Sequence, residues 1–120
     1  MDIDELTYAI NGAIYEVNKV LGAGFLEKVY EHALMVELEH RGLKAESQVP
    51  IRVLYKDRVV GEYFADIVVE GQAIVELKAM GKLRGEHEAQ MLNYLKATGF
   101  KVGLLVNFEY PKAVIKRYML

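Results

Sequence analysis

Asp66, Glu76 and Lys78 are the residues whose types and spacing invite chemistry. They interrupt the otherwise apolar segments on either side of Glu70–Gly71–Gln72, from Phe64 to Lys78. Side chains alternate faces along a strand. One face then carries Ala65, Ile67 and Val69, followed by Ala73, Val75, Leu77 and Ala79, all apolar. The other carries Phe64, Asp66 and Val68, followed by Ile74, Glu76 and Lys78. A sheet covered on both sides should be apolar on both, so three ionisable groups on the second face ask for a reason. Register decides whether they meet. A two-residue loop at Glu70 and Gly71 would set Asp66 against Val75 and turn Glu76 away. An odd loop, Glu70–Gly71–Gln72 or a five-residue version on the same centre, sets Asp66 opposite Glu76. Gly71 suits the left-handed position of a three-residue loop, so the odd loop is expected. Two carboxylates about 4 Å apart repel by about 4 kcal/mol at an effective dielectric near 20. Either one takes up a proton or a cation joins them. Oxygen-only ligands suit a hard ion, Mg²⁺ or Mn²⁺. Lys78, on the same face, is placed to hold an attacking water or to stabilise charge developing on a phosphate.

The elements that must position these groups follow from periodicity. Leu6, Ala9, Ile10, Ala13, Ile14, Val17, Val20 and Leu21 recur at helical spacing, predicting a helix over 4–21 with Asp4 as its N-cap. A second helix is predicted from about Phe25 to Arg41, with Leu26, Val29, Tyr30, Ala33, Leu34 and Leu38 as its apolar stripe and Gly42 just past its end. Strands are predicted over 48–55, 58–69 (bent near Gly61) and 73–79, joined by turns at Lys56–Asp57 and at Gly71, as an antiparallel meander. A third helix spans 86–98 and closes at Gly99. A buried strand, 101–108, follows, with an edge strand from Ala113 to Tyr118. A strand reached through a crossover helix runs parallel to its partner. The expected fold class is therefore α/β, in the order α-α-β-β-β-α-β with an added edge strand, a mixed sheet covered by helices.

With 120 residues the chain is expected to form one domain over 1–120. It has no cysteine, which excludes disulfides, thiolate zinc sites, iron–sulfur clusters and a cysteine nucleophile. The acidic start, Met1 to Glu5, is unlike a secretory signal, and no apolar run approaches the roughly 20 residues that span a bilayer, so a soluble, cytoplasmic protein without a membrane partner is expected. The net charge of −2 argues against a simple basic nucleic-acid binder. Residues 1–46 carry a balance of −5 and residues 47–120 one of +3, so a polyanion would meet the second part more readily.

The spacing of Asp66, nine intervening residues, Glu76, Leu77 and Lys78 resembles the PD-(D/E)XK nuclease superfamily. Gly24, Glu27 and Tyr30 resemble the signature of the GxxExxY family, a small branch of it, and Gln90 and Tyr94 are similar to the superfamily's Gln-x-x-x-Tyr element. The resemblance runs from about Ile10 to Phe108, with Ala65 where the superfamily's name has proline. It implies a restriction-endonuclease-like core and a metal-dependent nuclease hydrolysing phosphodiester bonds, with DNA ahead of RNA as substrate. Asp66 and Glu76 would bind Mg²⁺ or Mn²⁺ with the Leu77 carbonyl. Glu27 would add a carboxylate, directly or through water. Lys78 would position the water. Gln90 and Tyr94 would orient the site or contact the nucleic-acid backbone. Such an ion polarises the phosphate and lowers the pKa of bound water.

Other residues take plainer roles. Lys82 and Arg84 extend a basic loop after Lys78 and are candidates for phosphate contacts. Tyr30 is expected in the core. His32 and His40 belong on the surface, and His87 at a helix start rather than on a metal. Two other functions compete with the nuclease: a catalytically silent nuclease fold that binds nucleic acid, and a self-associating interaction module. A homodimer is compatible with each.

Overall fold

The computed structural model describes residues 1–109 and 111–120. Its elements are α1 (Ile3–Leu21), α2 (Glu27–His40), β1 (Ala45–Tyr55), β2 (Arg58–Val69), β3 (Ala73–Lys78), α3 (Gly85–Thr98), β4 (Val102–Asn107) and β5 (Val114–Tyr118). The strands form one sheet in the order β1-β2-β3-β4-β5. The first three make the antiparallel meander, β3 and β4 are parallel, and β5 returns antiparallel to β4. This is the mixed α/β architecture expected from the sequence, with the crossover helix α3 imposing the parallel pair.

Both faces of the sheet are covered. On one, Leu6, Ile10 and Ile14 of α1 and Tyr30, Leu34 and Leu38 of α2 pack on Ile67, Val69, Val75, Leu77, Leu104 and Val106. On the other, Met91 and Leu95 of α3 cover Ile51, Val68, Ile74 and Leu105. Tyr30 is core, as expected: its ring stacks on Phe108 with centroids 4.2 Å apart, and its hydroxyl donates to the Gly22 carbonyl at 2.6 Å. No helix among the described residues is long and apolar enough to cross a membrane.

The register is the one an odd loop demands. Ile67, Val68 and Val69 pair with Val75, Ile74 and Ala73 around the three-residue loop Glu70–Gly71–Gln72. Glu70 and Gly71 take φ of 54° and 62°. Lys56 and Asp57, with φ of 48° and 65°, make the tight β1–β2 turn. The expected bend falls beside Gly61, where Val53 pairs with Gly61 but Leu54 with Val59, leaving Val60 as the extra residue.

Several expectations need correction. Asp2, not Asp4, caps α1, because its carboxylate accepts the Glu5 N–H at 2.8 Å. Leu26 and Val29 are exposed, and the buried stripe of α2 is Tyr30, Glu31, Leu34 and Leu38. Strand β1 starts at Ala45 rather than Gln48, held by pairing with Val69 and by the Glu70 N–H donating to the Lys44 carbonyl at 2.8 Å. The strict alternation read for β2 also lapses. Ile67 packs under α1 and α2, but Ala65 joins Ile51 and Val68 beneath α3. The strand changes face at Asp66.

Candidate active site

Asp66 lies where the β2–β3 ladder stops, across from Glu76. At that point side chains replace the backbone partner. The Asp66 N–H donates to Glu76 Oε1 at 3.1 Å, and the Leu77 N–H donates to Asp66 Oδ2 at 2.8 Å. Each carboxylate thus accepts a bond from the opposite strand, and the two acids are held together where the strands part. Glu76 is 5% exposed. Burial first, and the Asp66 charge second, push its pKa from 4.5 up to about 8, with the Asp66 N–H and Lys78 pulling the other way. At neutral pH this acid keeps a proton unless a cation enters.

Lys78 ends β3, half-buried, opposite Asn107 of β4. Asn107 is a buried amide that sequence reasoning missed. Its Nδ2 donates to the Met80 carbonyl at 3.0 Å and its Oδ1 accepts the Met80 N–H at 3.1 Å, which pins the chain leaving β3. A polar residue closing the apolar run of β4 was the available signal.

Helix α2 carries two acids on one face, and the structure buries one of them. Glu27 is exposed at the first residue of the helix. One turn on, Glu31 is 5% exposed, and its carboxylate accepts from Lys28 Nζ at 3.2 Å and from Gln48 Nε2 at 3.1 Å. The same Gln48 nitrogen lies 3.5 Å from Asp66 Oδ1. Glu31 shares a helical face with Glu27 and Tyr30, and that shared face was its signal.

Helix α3 brings Gln90 and Tyr94 to the opposite side. Tyr94 is buried, and its hydroxyl is pushed up to about 12 by burial first, then by the charges of Glu76 and Asp66 and by Tyr63. It therefore stays a neutral donor beside the acids. The Tyr63 ring stands 5.7 Å from that of Tyr94. Both line a groove of about 700 Å³ with Arg52, Gln90, Asn93 and Lys96. Lys82 and Arg84 are exposed in the loop before α3. The Arg84 N–H donates to His87 Nδ1 at 3.1 Å, so His87 is the helix-start residue expected. His32 and His40 are on the surface.

Among the described residues no cluster of three or more His, Cys, Asp or Glu side chains is arranged to hold a metal ion. What the site offers is a pair of facing carboxylates, with Glu31 tied in through an amide. Two oxygen acids that disfavour joint ionisation fit a hard divalent cation, which supplies the missing positive charge.

The chain matches the family model of the PD-(D/E)XK nuclease superfamily over residues 4–118. No curated protein matches it. Among solved structures it is similar to SSO0001, with a TM-score of 0.61 and 18% identity over 77% of this chain and 48% of that one. It is also similar to the alkaline exonuclease LHK-Exo from Laribacter hongkongensis, with a TM-score of 0.55 and 14% identity over 91% of this chain and 68% of that one. The chain thus spans about half the length of SSO0001. At these identities the likeness is one of fold.

Proposed function

Because the chain belongs to the PD-(D/E)XK nuclease superfamily, we propose that it hydrolyses phosphodiester bonds in nucleic acid at Asp66 and Glu76 with a divalent cation, Mg²⁺ or Mn²⁺. The observation that carries this reading is the pair itself. Two acids on neighbouring strands each accept a backbone N–H from the facing strand, and the buried one is pushed up to about 8. The Leu77 carbonyl is the further oxygen ligand in this reading. The combination of Gly24, Glu27 and Tyr30 supports placing the chain in the GxxExxY branch.

A bound divalent cation would polarise the phosphate and acidify its water. The chain's own groups do the rest. Asp66 and Glu76 would hold the ion, each fixed by an N–H of the facing strand. Lys78 orients the attacking water and offsets charge on the phosphate. Tyr94 donates from a hydroxyl that stays protonated, and Gln90, one turn earlier on the same helix face, contacts the nucleic-acid backbone. Arg52 and Lys96, across the groove, supply cations for neighbouring phosphates, as do Lys82 and Arg84 from their exposed loop. DNA ahead of RNA belongs to the same proposal.

A cleavage screen over single-stranded, double-stranded and branched DNA and RNA, with Mg²⁺ or Mn²⁺, tests it. Cutting that disappears in Glu76→Ala supports the reading; cutting that survives both Glu76→Ala and EDTA refutes it.

A second reading, self-association, draws on the β1–β2 hairpin. Leu54, Val59, Val60 and Phe64 are exposed along it. Among the described residues β2 pairs with β3 only over Ile67 to Val69, so its stretch before Asp66 has β1 as its ladder partner. A homodimer through this hairpin would show as a concentration-dependent mass in light scattering, lost in Val60→Lys.

A further inference from the structure

Among the described residues four non-glycine positions have positive φ, and three of them, Lys56, Asp57 and Glu70, make the turns between strands. The fourth, Gln48, sits inside β1 with φ 52°. Its neighbours pair normally, Ser47 with Ile67 and Val49 with Ala65, so Gln48 stands directly across from Asp66, where β2 changes face. Left-handed backbone in a strand is strained for a side chain of this size, and glycine or asparagine would relieve it. Packing does not explain the glutamine, since it is exposed. Its amide is engaged, however. Nε2 reaches Glu31 Oε1 at 3.1 Å and Asp66 Oδ1 at 3.5 Å. The other partner of Glu31 is Lys28, an exposed cation one turn away on the same helix.

We propose that Gln48 is a positioning residue: its amide bridges Glu31 of α2 to Asp66 of β2 and makes the buried helix acid part of the metal site. The inference rests on the metal-dependent reading above and adds two residues to it. The amide is suited to the work. It carries two N–H donors and no net charge, so it satisfies two carboxylates without competing electrostatically with the ion. The strained backbone points that amide between them, and such strain is found where a site over-determines geometry. Groups behind metal ligands typically contribute 10- to 100-fold in affinity.

The test is calorimetric titration of the full chain with Mn²⁺ alone, together with thermal melts in EDTA. Gln48→Gly should weaken Mn²⁺ binding by about 10-fold or more while melting at the same temperature as wild type or higher. A residue with a merely structural role would lose both together. Gln48→Asn tolerates the same backbone but is one methylene short, and should show the same loss of affinity. Glu31→Gln should match it, and the double variant with Gln48→Gly should add little. Wild-type affinity in Gln48→Gly and Gln48→Asn, with loss in Asp66→Ala, overturns the inference and leaves the metal reading standing. No Mn²⁺ uptake by the wild-type chain, or equal uptake in Asp66→Ala, overturns both.

Discussion

The backbone N–H of Asp66 donates to Glu76 Oε1 while the Leu77 N–H donates back to Asp66 Oδ2, so two carboxylates close the ladder that their own backbones leave open. This exchange ties the shape of the sheet to the charge of the site. Changing either acid alters a strand junction as well as a ligand.

The pH dependence of stability follows from Glu76. Its pKa is raised from 4.5 in the unfolded chain to about 8 in the fold, so the folded state binds the proton more tightly. That contribution is complete below pH 4.5 and is lost as the pH climbs through 8. Without divalent ions the protein should be less stable at pH 9 than at pH 5, by roughly 2–5 kcal/mol from this group. Denaturant melts in EDTA across that range check it, and Glu76→Gln should flatten the curve.

Divalent ions should reverse the trend. An ion at Asp66 and Glu76 competes with the proton, so Mn²⁺ affinity should rise with pH up to about 8. At a hundredfold excess over the dissociation constant the fold should gain about 2.7 kcal/mol. Thermal melts with and without Mn²⁺ measure this, and Asp66→Ala should show no metal-induced gain.

Asn107→Ala should cost about 1–3 kcal/mol, because it strips both backbone partners from Met80 in a buried position. Since Asn107 also faces Lys78 across β3 and β4, nucleolytic turnover should fall more than substrate binding. Chemical denaturation and steady-state kinetics separate the two effects.

Gly103→Ala should disturb α3. A Cβ at Gly103 would strike the side chain of Met91, which lies one residue beyond Gln90. Overpacking of this kind costs about 1–3 kcal/mol. Melting temperature should drop, and Met91→Ala in the same chain should recover part of the loss by opening room.

The parts of this architecture that follow local rules were legible in the sequence. The loop Glu70–Gly71–Gln72 is fixed by the alternation next to it, at residues 67–69 and 73–75, and by a glycine at its centre, so the register that sets Asp66 across from Glu76 could be derived before any coordinates. Met91 and Leu95 on one face and Gly99 at the end of α3 carry the same kind of information. What could not be read depends on how elements are set against each other. Glu27 and Glu31 are one turn apart on one helical face, and periodicity treats them alike. The packing of Tyr30 on Phe108 fixes which turn is buried, and with it Glu31. The change of face at Asp66 has no pattern in β2 alone. Its counterpart is the backbone of Gln48, a strand away.

The amide of Asn107 has a consequence for the order in which this protein becomes itself. The strand bearing Glu76 and Lys78 gains its parallel neighbour, and the clamp on Met80, after the chain has run through α3 and back along β4. Pairings between segments so far apart in sequence form late and slowly. The hairpin that joins Asp66 to Glu76 is local, so what a half-folded polypeptide lacks is the seat of Lys78 opposite Asn107 rather than the meeting of the two acids.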